Sequence, residues 1–150
     1  MTFTTSMLML VIRDLLLAVG LGLVIGLERK MTHKEAGMRT FALICLGATL
    51  FVMLGRLISI DNDFGSLDPT RIIGQIIVGI GFLGAGVIIF EERSQKLRGL
   101  TTAAIMWVTA ATGAAVGLGF YSVAIVATIL VLLINLIILP IEKKFKSKQE

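Results

Sequence analysis

The chain is poor in the residues that build reactive sites in water. Its 150 residues include one cysteine, Cys45, and one histidine, His33. A lone cysteine excludes an internal disulfide framework, and one Cys with one His is too few for a structural zinc site. No nucleophile–base pair or HExxH stretch is present, so no catalytic residue, metal site or cofactor is expected. Charged residues make up only 16% of the chain, against about a quarter in an ordinary soluble domain. No cation precedes the first apolar stretch and no small-x-small cleavage site follows it, so that stretch is expected to be retained as a span rather than removed as a signal.

What is abundant is apolar surface. Hydrophobic residues make up 56% of the chain, and the mean hydropathy is +0.94, too apolar for a single globule facing water on all sides. Five runs stand out, at about 7–27, 41–58, 72–90, 103–118 and 120–139. Each is close to the ~20 residues a helix needs to cross a ~30 Å hydrocarbon core. An open sheet would leave backbone groups unpaired in lipid, so the expected fold is all-α: a polytopic transmembrane bundle of about five spans forming one domain over 1–150. The fourth run is short and rich in Ala and Gly, and residues 140–150 form a basic tail.

Cations predict orientation. Arg29, Lys30, Lys34 and Arg39 lie between the first two runs, Arg93, Lys96 and Arg98 between the third and fourth, and Lys143, Lys144, Lys146 and Lys148 after the fifth. Eleven of the 14 Lys and Arg thus share one side, while Arg13, Arg56 and Arg71 fall toward the other with Asp61, Asp63 and Asp68. The positive-inside rule then predicts an external N-terminus and a cytoplasmic C-terminus. The net charge of +4 calls for no nucleic acid, because basic loops facing anionic lipid account for it.

Gly79-Ile80-Gly81-Phe82-Leu83-Gly84 matches the dinucleotide fingerprint GxGxxG. That motif needs a preceding strand and a turn open to water, whereas this copy lies inside an apolar run. Close helix packing is the better reading, for Gly79, Gly81, Gly84 and Gly86 and equally for Gly22-x-x-x-Gly26 and Gly113-x-x-x-Gly117. Glycines let helix backbones touch in lipid, within one chain or between copies.

Polar residues at depth are the remaining candidates. Arg13 and Asp14 fall early in the first run and either line the bundle or sit at the headgroups. In the third run, Asp68, Arg71, Gln75, Gly79, Phe82 and Gly86 share one helical face. Asp68-Pro69 also reads as an N-cap followed by Pro at N1. Asn135 is a lone amide expected to bond another helix. Glu28 and Arg29 close the first run, Gly37, Arg39 and Thr40 open the second, and Arg98, Gly99, Thr101 and Thr102 open the fourth. In one membrane plane, Glu28 would pair with Arg39 or Arg98, and the helix N-termini would favour an anion. Asp61-Asn62-Asp63 has too few ligands for an EF-hand loop and reads as a solvated acidic loop.

In order, these motifs resemble the MgtC/SapB family of bacterial membrane proteins. The matching stretches are Gly22 to Arg29, Ala36-Gly37-Met38-Arg39-Thr40, Asp68 to Arg71, Gln75 through Gly79 to Gly86, and Arg98 to Ala104, followed by Trp107 and the small-residue run to Tyr121. The resemblance implies a multi-pass protein of the bacterial inner membrane, linked to growth at low magnesium and to virulence-type stress. It implies a modulator of another membrane protein, with the F-type ATP synthase as a possible partner and ATP level or membrane potential as the output. Besides membrane lipid, a second copy of the chain is the other expected partner. The family name also suggests transport of Mg²⁺ or another cation, through Asp68, Arg71, Gln75 and Asp14. Longer members carry a soluble domain after the helices, which the resemblance here does not reach, so functions resting on it do not transfer.

Overall fold

In hydrocarbon a backbone has no water to bond, so each apolar run closes its hydrogen bonds within itself. The computed structural model describes residues 5–32, 34, 36–60, 68–91 and 96–146. It shows five helices: α1 (Thr5–Met31), α2 (Met38–Ile60), α3 (Pro69–Val87), α4 (Leu100–Leu118) and α5 (Tyr121–Lys146). All five are long and apolar enough to span a membrane. The chain is an all-α polytopic bundle, as its pattern requires. The Asp61–Asp63 loop and His33 lie outside the described residues.

One expected boundary is corrected. The third run was expected to stay helical to Phe90, but α3 stops at Val87 and the chain turns extended at Ile88 (ψ 114°). A short hairpin follows, β1 (Ile89–Glu91) against β2 (Lys96–Arg98), pairing Ile89 with Arg98 and Phe90 with Leu97. Apolar content cannot separate the two outcomes here, because Ile-Ile-Phe suits a strand as well as a helix. Gly99 follows the hairpin at φ 86°, where an added Cβ would run into the Val87 carbonyl. A side chain there would meet both the left-handed strain and the end of α3.

The Ala/Gly-rich α4 is the centre of the bundle, with 67% of its spanning window buried against 11% for α3. Small residues suit that position because they let neighbouring backbones come close. A Cβ on Gly117 would lie 2.8 Å from the Thr49 carbonyl oxygen of α2. One on Gly22 would lie 2.6 Å from the Phe41 carbonyl oxygen, so α1 touches α2 in the same manner. Bare glycine carbonyls on α4 are met from α2. The Thr49 hydroxyl sits 2.7 Å from the Gly113 oxygen, and Arg56 Nη1 donates to the Gly117 oxygen at 3.0 Å. The buried threonines Thr109 and Thr128 donate back to carbonyls four residues earlier, which satisfies their hydroxyls without water. Gly119 (φ 84°) ends α4, and the Phe120 amide bonds the Ala115 carbonyl at 2.8 Å. This is a Schellman closure, which lets α5 start two residues later.

α1 and α5 run parallel. Tyr121 bonds Asp14 and Asn135 bonds Glu28, each pair 107 residues apart. The two contacts are therefore 14 residues, or about 21 Å, apart along both axes. The start of α1 and the end of α5 consequently lie at opposite ends of the bundle.

Candidate functional site

Three polar groupings interrupt the apolar bundle, and each is built by identifiable helices. The first joins the early part of α1 to the start of α5. Arg13 Nε and Nη2 donate to Asp14 Oδ1 at 2.9 and 2.8 Å, and the Tyr121 hydroxyl donates to the same oxygen at 3.0 Å. The Arg13 guanidinium also bonds the Tyr121 hydroxyl and lies 4.9 Å from its ring centre. Asp14 is buried while Arg13 reaches outward, so the carboxylate is held by groups that snorkel toward the membrane edge. α1 is helical from Thr5, and Arg13 works as a partner to Asp14 within it.

The second grouping corrects an expectation. Glu28 pairs with neither Arg39 nor Arg98. Its partner is the adjacent Arg29, through Nε to Oε2 at 2.7 Å and Nη2 to Oε1 at 3.0 Å. Asn135 of α5 donates to Oε2 at 3.2 Å. Arg29 is 0% exposed, so its fork lies among the helices and reaches the carboxylate before any loop cation can. This bidentate geometry is the strong form of the ion pair. The third nitrogen, Nη1, is buried without a hydrogen-bond partner among the described residues. Adjacent residues of a helix do not normally face each other, which is why the spacing concealed the pair.

The third is a groove between α2 and α3. α3 touches α2 where Ile72 sits over Gly55, and touches α4 where Gly84 meets Ala103. Between those contacts lies a cavity of about 970 Å³, floored by Ala48 and Ala110. Arg39 and Thr40 border it at one end, and Asp68, Arg71 and Gln75 at the other. The shared face on α3 is therefore present from Asp68 to Gly79, beyond which Leu83 lines the groove, while Phe82 is 80% exposed on the outside and Gly86 does not border the cavity. Asp68 caps α3, accepting from the Thr70 amide at 2.9 Å. Hydrogen bonds from the Thr70 side chain and amide, with Arg71 nearby, hold its carboxyl below the ordinary carboxylate range. A second cavity of about 570 Å³ is bordered by Lys30, Lys34, Gly37 and Arg39. Thr102 is buried at the start of α4, while Thr101 and Arg98 are exposed.

The glycines divide. Gly22, Gly26, Gly113 and Gly117 press on neighbouring backbones, and Gly84 rests on Ala103. Gly79, Gly81 and Gly86 do not, since a Cβ on any of them would meet nothing within 4 Å. Of the two alternatives, contact within the chain or between copies, the first does not occur at these three among the described residues, and their α3 surroundings are open. Gly74, absent from the expected set, is equally open. Its place in an apolar run, outside any GxxxG pair, gave no signal.

Five membrane-length helices, with Asp14 and Glu28 each tied to a neighbouring arginine, define a small multi-pass membrane protein of the helical-bundle class. The model of the MgtC family matches residues 15–144, and the chain belongs to that family. It is 46% identical to protein MgtC of Brucella abortus over 81% of this chain and 48% of the relative. It is 44% identical to protein MgtC of Salmonella typhimurium over 85% of this chain and 52% of the relative. YhiD of Escherichia coli, named as a candidate magnesium transporter, is 43% identical over 83% of this chain and 58% of its own length. The chain spans about half the length of these curated relatives. No solved structure matches it.

Proposed function

We propose that the chain is an inner-membrane modulator that supports adaptation to low magnesium and virulence-type stress by docking on another membrane protein. The observation that carries this reading is the open stripe on α3. Gly74, Val78, Gly81 and Ala85 recur at three- and four-residue spacing on the side away from the groove, and the last three are exposed. A Cβ on either glycine would meet nothing within 4 Å among the described residues, while Gly22 and Gly26 of α1 and Gly113 and Gly117 of α4 serve packing inside the chain. Glycines that no intrachain neighbour uses suit the close approach of a helix from outside. The F-type ATP synthase is the candidate partner, and ATP level or membrane potential the output. The Lys30–Arg39 end faces the cytoplasm under the positive-inside rule.

The test is Gly81→Leu together with Gly74→Leu. Both variants should fold and reach wild-type levels, yet lose support of low-magnesium growth and lose ATP synthase subunits from the affinity-purified protein. Wild-type growth and co-purification in both would sink the reading.

Cation transport is the second reading, favoured by the name of the YhiD relative and by Asp68 at one mouth of the groove. Against it, the buried carboxylates are already neutralised by arginines, and Arg71 beside Asp68 repels a cation at the entrance.

A further inference from the structure

The two cavities beside α2 share Arg39 and Thr40 as lining residues, and their chemistry differs sharply. The smaller is bordered by three cations, Lys30, Lys34 and Arg39, all exposed. Among the described residues none of the three has an ion-pair partner, because the nearby Glu28 is committed to Arg29. The larger is walled over most of its length by apolar side chains, including Leu43, Ile44, Phe51 and Ile76. From Arg39 to Phe51 is twelve residues of α2, about 18 Å of rise. That depth is close to one leaflet, half of a ~30 Å hydrocarbon core.

We infer that these two cavities, which share Arg39 and Thr40 as a common wall, act together as a binding site for an anionic phospholipid. The phosphate headgroup sits among Lys30, Lys34 and Arg39, and one acyl chain descends between α2 and α3. Charge complementarity selects the occupant. A neutral lipid leaves three cations unanswered, and an apolar helix from another protein does the same. A free anion fills the small cavity but leaves the groove beneath it empty. The gap also explains why α3 stands off α2 above Ile72 without collapsing onto it: a chain lying there supplies the packing the two helices lack. Anionic lipid gathers on the cytoplasmic leaflet, the side on which the sequence puts these cations.

The probes are phosphatidylglycerol and phosphatidylcholine, added to delipidated full chain in detergent and read by native mass spectrometry and by melting temperature. Wild-type protein should retain phosphatidylglycerol in preference to phosphatidylcholine and melt higher with it. Removing one cation near an anionic lipid is worth roughly fivefold in affinity, so Lys34→Gln and Arg39→Gln should each lose about that much. Gly47 lines the groove with nothing within 4 Å of a Cβ. Gly47→Phe therefore fills the groove while keeping every cation, and it should lose retention as well. Leu43→Trp is the parallel filling variant should Gly47→Phe melt low before any lipid is added. Lys143→Gln with Lys144→Gln should change nothing, which separates a site from general attraction to basic surface. Equal retention of the two lipids, or full retention in both filling variants, overturns the proposal. So does a second copy of the chain covering the groove in lipid-free protein.

Discussion

Asn135 on α5 donates to Glu28 on α1 at 3.2 Å, and the same carboxylate grips the fully buried Arg29. A charge pair and an amide from two parallel helices thus join at one point, in the last turn of α1 beside Lys30 and the loop that leads to α2. Breaking a buried pair from one side leaves the other charge uncompensated, at a cost of roughly 3–5 kcal/mol. Glu28→Gln and Arg29→Gln should each lower the melting temperature in detergent strongly, and the double variant should lose less than the sum. Glu28→Gln with Arg39→Gln should be additive. Coupling of Glu28 to Arg39, with none to Arg29, would contradict the geometry.

Gly113→Leu and Gly22→Leu place side chains where the backbone of α2 already lies. Overpacking of this kind costs about 1–3 kcal/mol or more. Both should fall in expression and melting temperature, whereas Gly81→Leu, on the open side of α3, should keep both. Similar destabilisation in all three would mean that α3 packs more tightly than its exposure indicates.

Much of this was legible beforehand. Length and hydropathy sufficed for five helices, and Asp68-Pro69 for the start of α3, because caps are local. The Glu28–Arg29 pair was not, since it depends on how far α1 sinks among its neighbours and not on spacing. The division of the glycines was hidden for the same reason. Gly113 and Gly81 sit in equally apolar helices, and only the tertiary arrangement decides which one meets a backbone.

Asp68 is a cap whose carboxyl titrates below the ordinary range. A lowered folded value means its contribution is complete above the unfolded carboxylate value and disappears as pH falls through the folded one. Asp68→Asn keeps a capping side chain, so at neutral pH it should melt close to wild type, while Asp68→Ala should melt lower. The difference between wild type and Asp68→Ala should shrink as pH drops below about 4. An Asp68→Asn protein that is stable but inactive would show that the charge, not the cap, matters.

Orientation is tested with reporters. One fused after Glu150 should respond as cytoplasmic and one inserted at Asn62 as external. Both on the same side would require one helix to lie outside the membrane.

The most direct measurement is Mg²⁺ flux in proteoliposomes containing only this protein. A modulator that acts by docking predicts flux equal to protein-free vesicles at every magnesium gradient, in wild type and in Asp68→Asn alike. Magnesium-dependent flux in wild type that stops on Asp68→Asn would contradict it and make the α2–α3 groove an ion path.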